Sequence, residues 1–243
     1  IKEQTQLTGA YVRSGSSLIG INVNQINSAA DKNVCFSDEN TLESVDVLID
    51  FTLPDGMRSH LKRAVEQSLP LVIGTTGLTA DDMALLENAA KHIPIVFARN
   101  YSVGVNVLLN LVQTAATKFG DDLDIEIFEA HHRHKIDAPS GTALAIGESI
   151  ADAKGWNHEE VAVYDRSQIE TEKSQNEIGY SVLRGGDIVG EHTAYFATMG
   201  ERLELTHKAS SRMTFALGAI RAASWLQNKP AGLYDMQDVL DLK

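Results

Sequence analysis

The chain has 243 residues, of which 43% are hydrophobic and 22% charged, and this composition is that of an ordinary globular protein rather than a disordered or fibrous one. Its formal net charge of -12 at pH 7 argues against nonspecific binding to nucleic acid or to an anionic membrane. The longest uncharged stretch, residues 100–117, is too rich in amide and hydroxyl groups to predict a membrane-spanning helix. We therefore expect a small-molecule partner.

Cys35 is the only cysteine in the sequence. A single cysteine cannot form an internal disulfide, which fits a reducing compartment, so we expect the protein in the cytoplasm. Residues 1–4 read like the middle of a structural element, so we expect a further segment before Ile1.

The first half of the sequence alternates short apolar runs with helical patterns. This alternation is typical of βαβ units, whose ligands bind beyond the carboxyl ends of the parallel strands. The loops after these strands are rich in small, hydroxyl and amide residues, which allow close approach to a ligand. We predict strands at 46–51, 69–74 and 93–98, and helices at 57–67 and 79–92.

The second half has a different pattern. After a long apolar helix at 103–119, residues 123–130 alternate apolar and charged side chains, as expected for a strand with one solvated face. Further strand-like runs follow with glycine-rich turns between them, and together they predict a mostly antiparallel sheet. These runs lie at 180–186, 192–198 and 202–209, and an apolar helix is predicted at 212–227.

Residues 131–135, within the stretch EAHHRHKIDAPSGTA, are three histidines, an arginine and a lysine in succession. Ser140 suits the N-cap of the helix that follows, and Gly141 and Thr142 place backbone N–H groups at its positive end, where anions bind. With His and Lys beside it, this helix end can hold a carboxylate next to groups that transfer protons.

Two other interpretations of this stretch remain open from the residues alone. A run of His, Arg and Lys is usually a solvated turn, and Ser-Gly-Thr before a helix is usually only a cap. A zinc site formed by His131, His132 and His134, with Asp137 as a fourth ligand, is a further alternative and would suit a hydrolase.

The stretch EAHHRHKIDAPSGTALAIGE resembles the signature of the bacterial dihydrodipicolinate reductases, also called 4-hydroxy-tetrahydrodipicolinate reductases. The similarity extends, in the family's order, to DFTLPDG, VIGTTGL, NYSVGVNVLL, LRGGDIVGEHTAYF and ERLELTHKASSRMTFALGAIRAA, so it covers nearly the whole chain. It implies an oxidoreductase of diaminopimelate and lysine biosynthesis that uses NADH or NADPH to reduce 4-hydroxy-tetrahydrodipicolinate to tetrahydrodipicolinate. It also implies a homotetramer.

The resemblance implies roles for the residues of the cationic stretch, and none of them is a metal ligand. His131 is expected to be the acid/base residue, and Lys135 the proton donor to the carbanion-like centre. His132 is expected to bind the substrate, and Gly141 and Thr142 to hold one of its carboxylates. A dicarboxylate substrate would explain why positive charge is concentrated here in an acidic protein.

The resemblance also implies a cofactor site in the loops after the parallel strands. The position where an acidic residue usually holds the adenosine ribose is Val12, and Arg13 follows it, a combination that favours the 2′-phosphate of NADPH. The expected cofactor contacts are Arg13, Gly74, Thr75, Thr76, Ala98, Arg99, Asn100 and Tyr101.

The fold that follows is α/β, with a Rossmann-like dinucleotide-binding domain and an inserted α+β substrate domain built on a mostly antiparallel or mixed sheet. We place the first domain at residues 1–102 plus 212–243 and the second at 103–211, with the active site between them and Arg212 in the hinge. The family's first strand and glycine-rich phosphate loop are missing from this sequence and are expected to precede Ile1. A dinucleotide or dicarboxylate sensor without turnover is the main alternative function.

Overall fold

A computed structural model describes residues 5–28, 30, 33–38, 45–120 and 122–243. Within it the chain forms two compact units, one from Ile1–Ala98 with Ala219–Val239 and one from Arg99–Gly218 with Leu240–Lys243. The expectation about residues 1–4 lies outside the described residues. The assignment of these segments to a dinucleotide domain and a substrate domain stays a prediction.

The first unit contains two sheets. Strands β1 (Ala10–Tyr11) and β2 (Phe36–Ser37) form a separate parallel pair, and a 3-10 helix (Val23–Gln25) lies between them in the sequence. The larger sheet has four parallel strands: β3 (Leu48–Asp50), β4 (Leu71–Ile73), β5 (Pro94–Phe97) and β11 (Gly232–Tyr234), in the order β11-β5-β4-β3. The three strands predicted from apolar runs are therefore confirmed as neighbours in one parallel sheet.

Helices α1 (Pro54–Glu66) and α2 (Ala80–Ala89) connect these strands. Helix α2 begins with a capping box, in which the Thr79 hydroxyl accepts from the Asp82 N–H and the Asp82 carboxylate accepts from the Thr79 N–H. Arg58 of α1 donates to the same carboxylate at 2.6 Å and so joins the two helices. Helices α6 (Met213–Leu226) and α7 (Met236–Val239) lie near the end of the chain.

The second unit is built on a five-stranded sheet in the order β10-β9-β6-β8-β7. Its helices are α3 (Val103–Lys118), α4 (Gly141–Lys154) and α5 (His158–Val161). Its strands are β6 (Asp124–His131), β7 (Ala162–Val163), β8 (Ile178–Arg184), β9 (Gly190–Thr198) and β10 (Glu201–Ala209).

The sheet is mixed, which agrees with the expectation of a mostly antiparallel or mixed sheet. Strand β9 runs antiparallel to both β6 and β10, whereas β6 with β8 and β7 with β8 are parallel pairs. The physical reason is that the chain passes through α4 and α5 after β6. Such a helical crossover returns the chain in the same direction, as a parallel strand requires.

Helices α3 and α4 cover one face of this sheet. Alternate residues of the central strands, including Ile125, Ile127, Ala194 and Phe196, point into this core and are almost fully buried. No helix in the described ranges is both long and apolar enough to cross a membrane.

Ile127→Ala should lower the free energy of unfolding by about 2–5 kcal/mol, because it leaves a cavity between the sheet and the helices. Ile136→Ala is the matched control: Ile136 is 97% exposed and Ile127 only 1%. Its effect should stay within about 0.5 kcal/mol. Urea denaturation followed by circular dichroism measures both, and equal losses would contradict the packing described here.

Candidate functional site

The end of strand β6 positions two polar side chains on the buried face of the sheet. Glu129 and His131 have the same parity along the strand as Ile125 and Ile127, so they follow those core residues on one face. Glu129 has no exposed surface and His131 is 9% exposed. A buried carboxylate in this position needs partners that satisfy its charge.

Four hydrogen bonds supply these partners. The Glu129 Oε2 atom lies 2.6 Å from His131 Nδ1 and accepts from Arg184 Nη1 at 2.9 Å. Its Oε1 atom accepts from Arg184 Nη2 at 2.8 Å and from the Ser140 backbone N–H at 3.0 Å. The carboxylate therefore binds a guanidinium in bidentate geometry and still has one oxygen for the imidazole and one for the start of α4.

The pKa values of this pair follow from burial and from these bonds. Burial alone would raise the pKa of Glu129, but the hydrogen bonds from Arg184, His131 and the Ser140 amide outweigh it and lower the pKa below its ordinary value. Burial lowers the pKa of His131, and the positive charges of Lys135 and Arg184 lower it further, against the opposing effect of Glu129. At neutral pH we therefore assign a charged Glu129 and a neutral His131 with its proton on Nδ1.

A second buried histidine lies beside this pair. The His192 ring is 5.2 Å from the His131 ring in an edge-on arrangement, and its Nε2 lies 2.9 Å from Ser140 Oγ. The same hydroxyl accepts from the Ala143 N–H at 3.2 Å, which caps α4. Burial is the main cause that lowers the pKa of His192 to about 3, so this imidazole is neutral.

The turn after β6 carries the remaining cationic side chains. Lys135 Nζ lies 2.9 Å from Asp137 Oδ1, so the aspartate considered as a zinc ligand is paired with the lysine instead. His132 Nε2 lies 3.4 Å from Arg212 Nη2, and within the described part of the chain its buried Nδ1 has no hydrogen-bond partner. The Nδ1 atom of His132 therefore has hydrogen-bonding capacity that the described residues do not use.

The N-terminus of α4 supplies further donors. The Gly141 and Thr142 N–H groups belong to the first turn, where no intrahelical acceptor exists. The Thr142 hydroxyl accepts from Asn100 Nδ2 at 3.1 Å. Two residues predicted for different ligands, Asn100 for the cofactor and Thr142 for the substrate, are therefore hydrogen-bonded to each other.

The alternative of a histidine zinc site has no support in the described ranges, where no group of three or more His, Cys, Asp or Glu side chains could hold a metal ion. His131 is bonded to Glu129, and His132 approaches Arg212. His134 is exposed. The three side chains therefore do not converge on one point.

In the first unit, the loops after β3 and β4 are held together by Asp50. This buried carboxylate binds His60, accepts from the Thr75 hydroxyl at 2.5 Å and accepts from the Thr52 N–H at 3.1 Å. Burial would raise the pKa of Asp50, but its hydrogen bonds to His60, Thr75 and Thr52 lower it overall. The arrangement fixes the loop that begins with Gly74, and it fits a dinucleotide site at the carboxyl ends of parallel strands.

A Cβ atom at Gly74 would overlap the ring of Phe51, so a larger residue there would have to displace that ring. Thr75 is fully buried, whereas Thr76 is exposed and available to a ligand. Arg13 is exposed in the loop after β1. Of the predicted cofactor residues in the first unit, Thr76 and Arg13 therefore have accessible side chains. The buried Thr75 instead stabilises the loop through the hydrogen bond of its hydroxyl to Asp50.

The remaining predicted cofactor residues lie where the chain passes between units. Ala98 is buried in the first unit, and the second begins at Arg99, whose guanidinium pairs with Glu148 of α4 at 3.2 Å. Tyr101 is 1% exposed, so its ring is part of the protein interior.

The parallel sheet of the first unit and the mixed sheet of the second define an α/β protein with a Rossmann-like fold. Family models described as the N-terminus and the C-terminus of dihydrodipicolinate reductase match residues 1–101 and 104–240. The chain belongs to the dihydrodipicolinate reductase family.

The chain is similar to curated proteins named 4-hydroxy-tetrahydrodipicolinate reductase. One from Pseudoalteromonas translucida is 83% identical, over 100% of this chain and 91% of the relative, and one from Pseudomonas fluorescens is 57% identical, over 98% and 89%. A solved dipicolinate-bound dihydrodipicolinate reductase from Paenisporosarcina sp. TG-14 aligns with a TM-score of 0.69 at 22% identity, over 94% of this chain and 88% of that one. The structural likeness shows the fold, and the sequence relatives show the family.

Three residues of the site had no role from sequence reasoning: Glu129, Arg184 and His192. For Glu129 and His192 a signal was present, because each is a polar residue with the parity of buried apolar residues on its own strand. Arg184 ends a strand whose pairing partner was unknown, so nothing in the sequence placed it beside Glu129.

Arg184→Met should lower the free energy of unfolding by about 3 kcal/mol at neutral pH, because it leaves the Glu129 carboxylate buried without its cation. The pKa of wild-type Glu129 lies below the ordinary 4.5 and should rise in the variant. The difference in free energy of unfolding between the wild type and Arg184→Met should therefore be largest at neutral pH. It should become smaller in acid, where the carboxyl group of Glu129 in the variant becomes neutral.

Urea unfolding at neutral and at mildly acidic pH measures this difference. Lys62→Met is the control, because Lys62 pairs with Glu66 at the surface of α1 and should contribute little. A loss in Arg184→Met that does not depend on pH would contradict the ion-pair interpretation.

Proposed function

We propose that this chain catalyses the NAD(P)H-dependent reduction of 4-hydroxy-tetrahydrodipicolinate to tetrahydrodipicolinate, a step of diaminopimelate and lysine biosynthesis. The observation that carries the proposal is the setting of His131: its Nδ1 is bound by Glu129, and the charge of Lys135 acts on the same ring. A proton-transfer group beside cations is what the reduction of a dicarboxylate needs.

The donors around His131 suit an anion with two carboxylates. The N–H groups of Gly141 and Thr142 begin α4 and are assigned to one carboxylate. His132, whose Nδ1 has no hydrogen-bond partner among the described residues, is assigned to substrate binding as well. The protein is acidic overall, so an anion gains from this site only because these donors are concentrated there.

The chemistry balances with one proton from the site. Elimination of water removes the hydroxyl group and a ring proton from the substrate, and a hydride and a proton then add across the resulting double bond, so one hydride and one proton are consumed overall and water is released. The nicotinamide cofactor supplies the hydride when it is bound. His131 is assigned as the acid/base residue, and Lys135 as the donor of a proton to the carbon next to the reduced centre.

The free protein is prepared to take up a proton when substrate binds. Burial and neighbouring cations lower the pKa of His131 and keep it neutral. A dianion beside the ring would oppose both effects, because negative charge stabilises the imidazolium. Substrate binding therefore favours protonation of His131, which is the acid that the reaction uses.

The loops at 74–76 and 98–101 are assigned to the nicotinamide cofactor. NADPH is preferred over NADH because Arg13 follows the strand end where an acid is absent. We also propose a cytoplasmic homotetramer. The single cysteine is consistent with that compartment. Strand β10 forms one edge of the five-stranded sheet and is exposed over Glu201–Glu204, which makes it available for contacts between subunits.

Oxidation of NADPH on addition of the cyclic substrate tests this function directly. Turnover supports the reductase, whereas binding of both ligands without cofactor oxidation would support the sensor alternative. The assay follows the absorbance of the reduced nicotinamide, with a substrate-free reaction as the blank.

His131→Ala and Lys135→Ala should each reduce kcat by about 100-fold or more, because each removes a proton-transfer group. His134→Ala is the matched control, since His134 belongs to the same cluster but is exposed, and it should retain activity. Circular dichroism checks that the fold is kept. Near-normal turnover in both site variants would remove these roles.

Arg13→Ala should raise KM for NADPH by about tenfold, which corresponds to about 1.4 kcal/mol for one lost phosphate contact. KM for NADH should stay the same, because NADH lacks the 2′-phosphate. Steady-state kinetics with both cofactors measure this ratio. An equal change for the two cofactors would show that Arg13 does not recognise that phosphate.

A further inference from the structure

We propose that Glu129 is a positioning residue, whose single buried carboxylate holds the proton of His131 on Nδ1 and at the same time anchors the start of α4. The proposal deepens the proposed function, since it assigns a residue that aligns the acid/base group with the carboxylate-binding helix end. Glu129 acts through these neighbours and needs no contact with substrate.

The two oxygens of Glu129 have separate tasks. Oε2 binds His131, and Oε1 accepts from the Ser140 N–H, one residue before the helix begins. Arg184 binds both oxygens and fixes the plane of the carboxylate, and its Nη2 also donates to the Asp137 carbonyl in the turn at 2.6 Å. A rotation of Glu129 would therefore disturb His131 and the end of α4 together.

Fixing the proton on Nδ1 leaves Nε2 as the atom of His131 that exchanges protons. This atom faces the backbone of Gly190, where an added Cβ would lie 3.0 Å away, so glycine leaves room beside it. The edge-on His192 ring restricts rotation of the imidazole from another side. Nε2 is thus held in one orientation with space next to it.

Only a carboxylate can serve all four donors. An amide of the same shape has one accepting oxygen and one NH₂ group. In Glu129→Gln the NH₂ group therefore takes the place of one carboxylate oxygen and faces hydrogen-bond donors that it cannot accept from. If the oxygen keeps the Ser140 N–H, the NH₂ group faces His131 Nδ1 and stabilises the opposite tautomer, with the proton on Nε2.

The ¹⁵N chemical shifts of the His131 ring measure the tautomer without any assumption about activity. In the wild type we expect a protonated Nδ1 and an unprotonated Nε2 at neutral pH, with the signals assigned by their absence in His131→Ala. In Glu129→Gln we expect the reverse. A wild-type ring protonated on Nε2 would overturn the proposal, and this measurement needs no variant of Glu129 to fold.

The kinetic consequence should separate positioning from general support of the fold. Glu129→Gln should lower kcat by about 100-fold, and Glu129→Asp, which keeps the charge, should recover part of it. Glu126→Gln is the matched control: Glu126 lies on the same strand and pairs with Lys173, so its loss should leave kcat and the His131 tautomer unchanged. Equal kinetic effects at Glu126 and Glu129 would overturn the positioning role.

The pH profile gives an independent readout. His131 is faced by Glu129 on β6, Arg184 on β8, His192 on β9 and Lys135 in the turn, and Glu129 is the neighbour that favours its charged form. Without that carboxylate, the pH above which kcat falls should move to lower values, and an unchanged profile would count against the role. A wild type with the expected tautomer but without NADPH oxidation would instead contradict the proposed function.

Discussion

The site depends on one constraint: a carboxylate buried in the sheet must be fully bonded. Strand register meets this constraint. Glu129 lies opposite His192 on β9, and His131 lies opposite Arg184 on β8, so the two neighbouring strands bring an imidazole and the guanidinium to the central strand from its two sides. A slip of one residue in either pairing would turn these side chains to the other face of the sheet. The geometry of the acid/base group is therefore set by the same hydrogen bonds that build the fold.

The electrostatics of the site follow from this arrangement and from burial. Glu129 stays ionised because Arg184, His131 and the Ser140 amide donate hydrogen bonds to its carboxylate. His131 and His192 stay neutral mainly because they are buried. The free site therefore carries the positive charges of Lys135, Arg184 and Arg212 and the amides of the helix end, with the carboxylates of Glu129 and Asp137 among them.

The sequence predicted the parts of the fold that rest on local patterns and missed those that rest on pairing. Apolar runs located β3, β4 and β5, and the motif before α4 located its Ser140 cap. The parallel pairing of β6 with β8 was missed, because a crossover is decided by packing of the helices rather than by the strands themselves. The place of Arg184 depends on that pairing, so the partner of Glu129 could not be found, although the parity of Glu129 marked it as buried.

The loop at 99–101 shows how residues predicted for two ligands are joined within one unit. Arg99 pairs with Glu148 and Asn100 donates to Thr142, and both partners belong to α4. Asn100 also accepts from the Ser102 N–H, so the loop is fixed to the start of α3 as well. Because Glu129 anchors the residue before α4, its carboxylate, the helix end and this loop form one hydrogen-bonded chain. A displacement of α4 would therefore alter the acid/base group and the loop together, and the precision of the site rests on the packing of that helix against the sheet.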